Sequence, residues 1–422
     1  MISRIKNSEF FSNSLILITG TFLAQLIPIL LQPALRRLFE PSDFGYFAIY
    51  STIIGMFISI SNLKYENAIV VAKTDKNADN LLSGGVLISL IFSVLIGLVM
   101  FIFKDLWVDY FNLSKSISWF FWFIPISIFV LSSYQCMNYW FIRQKKFKLS
   151  STNKLVRRGG EGIGQLGFGL GRYSGGLIIG SVIGDLSNFF AGLYQSRRLG
   201  FNWKSFNIKE IKKVLIEYKK FPLFNAIPSF LNTFSLMFPV IIVNALYGEA
   251  TTGQFDLSRV VLALPLALIS VSISQVYFQR LSEQIRIKKR ITGEFRKMAL
   301  ILALISIPGA TIGYFLCEPI FELFFGNNWG LASRITQILI FAYAIKFVVS
   351  PLSVSIIALE KLKWSAAWQI VYFISIICLF LLKECSIEEF FIYYASLEII
   401  IYLAYFLLTM YLVHNHDKSL NQ

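Results

Sequence analysis

Residues 81–103 read LLSGGVLISLIFSVLIGLVMFIF, 23 positions without one charged side chain. At about 1.5 Å per residue, a helix of that length reaches across the roughly 30 Å hydrocarbon core of a bilayer. Charged residues flank it on both sides, Asp75, Lys76 and Asp79 before and Lys104 and Asp105 after. The stretch predicts a transmembrane helix, and comparable runs recur at 11–33, 44–63, 117–140, 155–171, 174–195, 223–246, 253–278, 298–317, 332–358, 364–382 and 387–412. Together they predict an all-α integral membrane protein with about twelve transmembrane helices. Glycines 159, 160, 162, 164, 167 and 169 crowd the fifth run, a composition that membrane helices tolerate where small residues let neighbours pack closely. The first run follows Arg4 and Lys6 without a small-residue cleavage site, which predicts a retained helix rather than a removed signal peptide.

Composition points the same way. Of 422 residues 56% are apolar and only 15% charged, against about 25% charged in soluble domains, and mean hydropathy is +0.63. That much apolar surface excludes a water-soluble enzyme. The four cysteines, Cys136, Cys317, Cys378 and Cys385, have no CxxC or metal-ligand spacing, although a Cys317–Cys385 disulfide near the outer surface is conceivable. The two histidines, His414 and His416, sit in the terminal tail. No metal site, cofactor, His-based catalytic residue or phosphate-binding GxxxxGK[ST] loop is expected.

The net charge of +15 is explained by topology. With the N-terminus placed in the cytoplasm, 30 of the 39 Lys and Arg residues fall on the inner side and 7 on the outer, with Arg259 and Lys346 inside spans. Such a bias is the positive-inside signature. It predicts cytoplasmic termini and removes any need for a nucleic-acid partner.

Six spans precede a basic connection and six follow it. The expected organisation is a bundle over 1–200, a cytoplasmic amphipathic linker over 201–220 and a second bundle over 221–422. In the linker Ile208, Ile211, Leu215 and Tyr218 share one helical face among Lys209, Lys212, Lys213 and Lys219, a pattern suited to an anionic inner leaflet or to an ordinary connection. Leu38-Phe39 leads through Gly45 to Phe47, as Leu246-Tyr247 leads through Gly253 to Phe255, at a constant offset of 208. The match predicts two six-helix bundles related by a pseudo-twofold along the membrane normal. Parallel repeats of this kind hold substrate between halves that rock to alternate access.

Tyr218-Lys219-Lys220-Phe221-Pro222, Asn244-Ala245-Leu246-Tyr247-Gly248, Gly253-Gln254-Phe255, Leu257, Arg259-Val260-Val261, Pro265 and Ser274-Gln275-Val276 follow one another in order. Leu38-Phe39-x-Pro41-x-Asp43-Phe44-Gly45 and Tyr65-Glu66-x-Ala68-Ile69 precede them. In this order the motifs resemble the polysaccharide transporter family of the multidrug/oligosaccharidyl-lipid/polysaccharide flippase superfamily, which includes O-antigen repeat-unit translocases. The resemblance implies a bacterial inner-membrane flippase for undecaprenyl-diphosphate-linked oligosaccharide, working among membrane lipids, either alone or beside a polysaccharide polymerase and chain-length regulator. The lipid tail can remain in the bilayer, but a diphosphate and sugars cross hydrocarbon only at high cost.

Ionisable groups within spans are costly and mark function by default. Lys346, mid-way along the tenth span, either holds diphosphate or pairs with an acid. Arg259 lies about 9 Å below the outer end of the eighth helix, with Asp256 on the same face, so substrate contact and an internal ion pair both fit. Arg157 and Arg158 open the fifth helix from inside, as entry contacts or topology signals. Arg36 and Arg37, at the outer end of the first helix, receive the diphosphate or anchor the interface. Glu161, Asp185 and Glu398 are carboxylates suited to ion coupling or to neutralising these cations across helices, and Asp256 is a further candidate. Trp119, Trp122, Trp140, Tyr343 and Tyr372 offer faces for sugars, although interfacial belts and packing explain such residues too. A cation-coupled multidrug or metabolite exporter is the alternative, expected to favour aromatic, acidic cavities. A membrane polymerase or ligase needs catalytic groups in sizeable outer loops, which the short outer connections do not provide.

Overall fold

The computed structural model describes residues 9–110, 118–203 and 207–420. Arg4, Lys6, Lys115 and Lys204, counted above among the basic residues, lie outside them. The described residues form helices and turns, with no strand among them. The chain divides after Ala250 into two compact units, Met1–Ala250 and Thr251–Gln422.

In the first unit α1 (Glu9–Leu38), α2 (Pro41–Ile58), α3 (Tyr65–Val71), α4 (Asp75–Ile102) and the short α5 (Lys104–Tyr110) precede α6 (Phe123–Arg143), α7 (Phe147–Leu170), α8 (Gly176–Arg198) and α9 (Ile208–Glu217). After a π-helical turn at Pro222–Ala226, α10 (Ile227–Pro265) starts in this unit. It is interrupted at Gly248, whose φ of 80° and ψ of 179° suit a residue without a Cβ. The sequence decides which face each helix buries. In α4 the small residues Ser83, Gly84, Gly85, Ser89 and Ser93 point inward. Leu90, Ile91, Val94, Leu95, Leu98 and Phe101 are exposed on its outer side. Such an arrangement, small groups between helices and large apolar groups outward, belongs to a lipid solvent.

The glycine-crowded segment is helix throughout α7, and its glycines carry its packing. A Cβ added at Gly164 would stand 2.9 Å from the Gly180 Cα of α8, and one at Gly184 would stand 2.6 Å from the Arg157 carbonyl oxygen. The two backbones therefore approach as closely as small residues permit. At Gly45 a Cβ would overlap the Glu249 carbonyl group, so that position also needs glycine.

The linker segment is not free-standing. Asn207 caps α9 by accepting from the Lys209 and Glu210 amides, and Ile211 and Val214 are buried. The face expected to meet lipid packs on α4 instead, where the bare Gly84 leaves room for Ile211 and Leu215. This packing holds α9 against the first unit.

The second unit continues with α11 (Val271–Arg286), α12 (Thr292–Phe325), α13 (Gly330–Leu352), α14 (Val354–Ala358), α15 (Leu362–Cys378) and α16 (Ile387–Ser419). Ser386 and Glu389 form a reciprocal capping box that starts α16. At its other end Asp417 accepts from the Ile291 and Thr292 amides, each at 2.9 Å, and so fastens α16 to the start of α12. Cys317 and Cys385 form no disulfide with one another. Cys317 is buried, and its thiol lies 3.4 Å from the Ser333 carbonyl oxygen. Among the described residues seven helical segments are long and apolar enough to cross a membrane: Asp75–Ile102, Gly176–Arg198, Pro222–Leu264, Thr292–Phe325, Asn327–Ala358, Leu362–Leu382 and Ile387–Ser419.

Candidate functional site

Each unit holds charge in its interior, and each site is built where helices approach closely. In the first unit Gly184 lets α8 lie against the α7 backbone beside Arg157. Across that contact Arg157 Nε donates to Asp185 Oδ1 at 2.8 Å, with the Asp185 side chain 3% exposed. At the next position of α7, Arg158 Nη1 lies 2.7 Å from Oε2 of Glu161, three residues further on. Nearby, Asn153 and Gln195 exchange reciprocal amide hydrogen bonds at 2.7 and 2.9 Å. The structure thus joins two of the predicted cations to two of the predicted carboxylates.

In the second unit Lys346 Nζ of α13 lies 2.7 Å from Glu398 Oε2 of α16, with side chains 8% and 1% exposed. Aromatic rings enclose the pair. The ammonium stands 4.8 Å from the Tyr343 ring centre and 5.1 Å from that of Tyr402, distances that favour cation–π attraction. Tyr372 donates its hydroxyl to Glu398 at 2.8 Å, and Trp368 stacks on both Tyr372 and Tyr405. Lys346 therefore meets an acid, the alternative that its position in the sequence left open.

The remaining candidates are more scattered. Arg259 and Asp256 stand one turn apart and half-buried on α10, with the guanidinium 5.6 Å from the Phe255 ring centre. Arg37 is exposed at the end of α1, whereas its neighbour Arg36 is buried, donates to Gln32 at 2.9 Å and lies 3.5 Å over the Phe44 ring. Trp140, considered above for sugar stacking, is buried and donates its indole N–H to Asp79 at 2.8 Å. Trp119 and Trp122 are exposed.

One buried carboxylate was missed. Glu66, quoted above only within a motif, is 1% exposed; Gln135 donates to it at 3.3 Å and Lys64 Nζ lies 3.7 Å away. Its place at the end of a span reads as interfacial, but Gln135 within the fourth apolar run is a signal that a polar partner faces inward. Among the described residues no group of three or more His, Cys, Asp or Glu side chains could hold a metal ion.

Each unit thus carries ion-paired side chains among helices whose outer faces are apolar. Comparison with known proteins gives these features a family. Residues 34–334 match the family described as polysaccharide biosynthesis protein. A Klebsiella pneumoniae relative described as an uncharacterized membrane protein in the cps region is 27% identical over 169 residues, 40% of this chain and 34% of that protein. The Staphylococcus aureus capsular polysaccharide biosynthesis protein CapF is 29% identical over 199 residues, 46% of each chain. The matches thus span about a third and about half of those relatives' lengths. Among solved structures, an inward-facing multidrug resistance MATE family transporter of the MOP superfamily aligns with a TM-score of 0.73 at 12% identity, over 92% of this chain and 94% of that one. The lipid II flippase MurJ, in an inward closed conformation, aligns at 0.72 and 14% identity over 96% and 90%. These two establish a shared fold.

Proposed function

The chain is a multi-pass membrane protein of the polysaccharide biosynthesis protein family, and from that membership we propose that it is a flippase for lipid-linked oligosaccharide. The cargo is an undecaprenyl-diphosphate-linked repeat unit, carried from the cytoplasmic to the outer leaflet for O-antigen or capsule synthesis. The observation that carries this reading is the placing of a buried, ion-paired Lys346 and of half-buried, ion-paired Arg157 and Arg158 among helices whose outer surfaces are apolar. Cations so placed lower the barrier to an anionic diphosphate, whereas the prenyl tail needs no help in lipid. The protein is a transporter rather than an enzyme.

The proposed mechanism is alternating access between two six-helix halves, 1–200 and 221–422, joined by 201–220, with twelve crossings and both termini in the cytoplasm of an inner membrane. Diphosphate contact is assigned to Lys346, Arg259, Arg157, Arg158 and Arg37. Ion coupling is assigned to Glu161, Asp185, Asp256 and Glu398, because an anion that engages a paired cation leaves its carboxylate in need of a proton or another cation. A polysaccharide polymerase and chain-length regulator are the proposed neighbours.

The test is the leaflet distribution of undecaprenyl-diphosphate oligosaccharide in cells lacking the gene and any redundant flippase. Accumulation on the cytoplasmic face, relieved by re-expression, is the expected result. An unchanged distribution overturns the proposal in favour of drug or metabolite export.

A further inference from the structure

We propose that the lysine face of α9 is a binding surface for anionic phospholipid headgroups of the cytoplasmic leaflet. The inference does not depend on the cargo. The apolar side of the helix is already occupied, since Ile211, Val214 and the following Tyr218 are buried within the first unit. Its acids are occupied too. Glu210 binds Lys76 at 2.7 Å on one flank, and Glu217 binds Lys73 at 2.8 Å. What remains outward is Lys209, Lys212 and Lys213, with Lys219 and Lys220 following, all exposed. Among these lysines stands Ile216, 55% exposed, and at the start of the helix Ile208 is 69% exposed.

Position gives this face its partner. A Cβ at Gly84 of α4 would stand 3.0 Å from Leu215 and 3.1 Å from Ile211, so α9 lies directly on that turn of the spanning helix. Leu90, an outward apolar residue of α4, is six positions further along, about 9 Å at the rise of a helix. The lysines are thus held within a headgroup's depth of the hydrocarbon, and the two isoleucines can enter the boundary between them. The backbone of α9 is also fixed, because Tyr65 donates its hydroxyl to the Leu215 carbonyl at 2.9 Å and Tyr218 accepts from the Lys73 amide at 2.9 Å. A rigid, one-sided array of lysines with apolar side chains between them matches an anionic interface, not a flexible tail. An acidic protein segment is the competing occupant, but it has no use for isoleucines at hydrocarbon depth.

Full-length protein in nanodiscs of phosphatidylcholine, with or without phosphatidylglycerol, tests the proposal by hydrogen exchange of residues 208–217. Exchange is expected to slow when phosphatidylglycerol is present and to recover at high salt. Each lysine near an anionic surface strengthens binding about fivefold, so Lys209→Gln, Lys212→Gln and Lys213→Gln together weaken it roughly 100-fold and remove the lipid-dependent slowing. The three positions are exposed and leave the buried contacts of α9 intact. Ile216→Ser, also exposed, should reduce the slowing without altering its salt dependence. Equal exchange in both lipid mixtures, or slowing that survives the triple substitution, overturns the proposal.

Discussion

Lys346 and Glu398 form an ion pair at 2.7 Å within the second unit, and the Tyr372 hydroxyl donates to the same carboxylate. Removing one partner leaves the other charge buried. Glu398→Gln or Lys346→Met alone is expected to destabilise the protein by about 3–5 kcal/mol, and the double substitution by much less. Thermal unfolding in detergent or nanodiscs reads this directly. If both single variants are as stable as the native protein, the pair is open to solvent rather than buried.

Transport separates from stability at Arg157. Arg157→Lys keeps the positive charge and loses the planar fork that meets Asp185. Surface polysaccharide should fall about tenfold at unchanged membrane abundance, a rise of roughly 1.4 kcal/mol in barrier height. Normal polysaccharide in this variant and in Arg158→Gln removes both from the cargo path.

Gly184 should accept no side chain. Gly184→Val places branched carbons against the Arg157 carbonyl and is expected to cost about 1–3 kcal/mol through overpacking. The same change should lengthen the Arg157–Asp185 contact. Thermal stability and polysaccharide export are expected to fall together, whereas Gly159→Ala, which meets nothing within 4 Å, should change neither.

The attachment of α9 is expected to weaken in acid. The hydrogen bond from Lys76 holds the Glu210 carboxyl below its ordinary range. A lowered pKa means that the folded state favours the charged form, so the contribution is complete at neutral pH. It is lost only as pH falls below the ordinary glutamate range and through the depressed value. Proteolysis or hydrogen exchange of residues 208–217 should therefore accelerate in that window, and Glu210→Gln should abolish the acid dependence of this step.

Much of this molecule could be read from its residues, and the exceptions have physical causes. All but the last residue of the run at 81–103 lies in one helix because a charge-free stretch of that length has few other uses. The glycines of 155–171 were compatible with a helix, but what they fit is the backbone of α8, which lies elsewhere in the sequence. The amphipathic pattern of 208–218 found Ile211 and Tyr218 on the buried side but also included the exposed Ile208 and omitted the buried Val214, because periodicity marks an apolar stripe without naming the neighbour that covers it. The mid-span charges were visible one by one, whereas their pairing required the helix contacts. Glu66 shows the same limit, with its partner Gln135 69 positions away.

The contact between α7 and α8 has a mechanical consequence. Where Gly164 faces Gly180 and Gly184 faces the Arg157 carbonyl, main chain bears on main chain. Side chains can switch rotamers to absorb a sliding motion, but backbone in contact with backbone has nothing to rearrange. These helices can therefore travel only as one stiff plate, and the Arg157–Asp185 bond travels inside it. Any rearrangement within the first unit must bend elsewhere, and the π-helical turn at Pro222–Ala226 is the kind of joint where a chain can yield without unfolding.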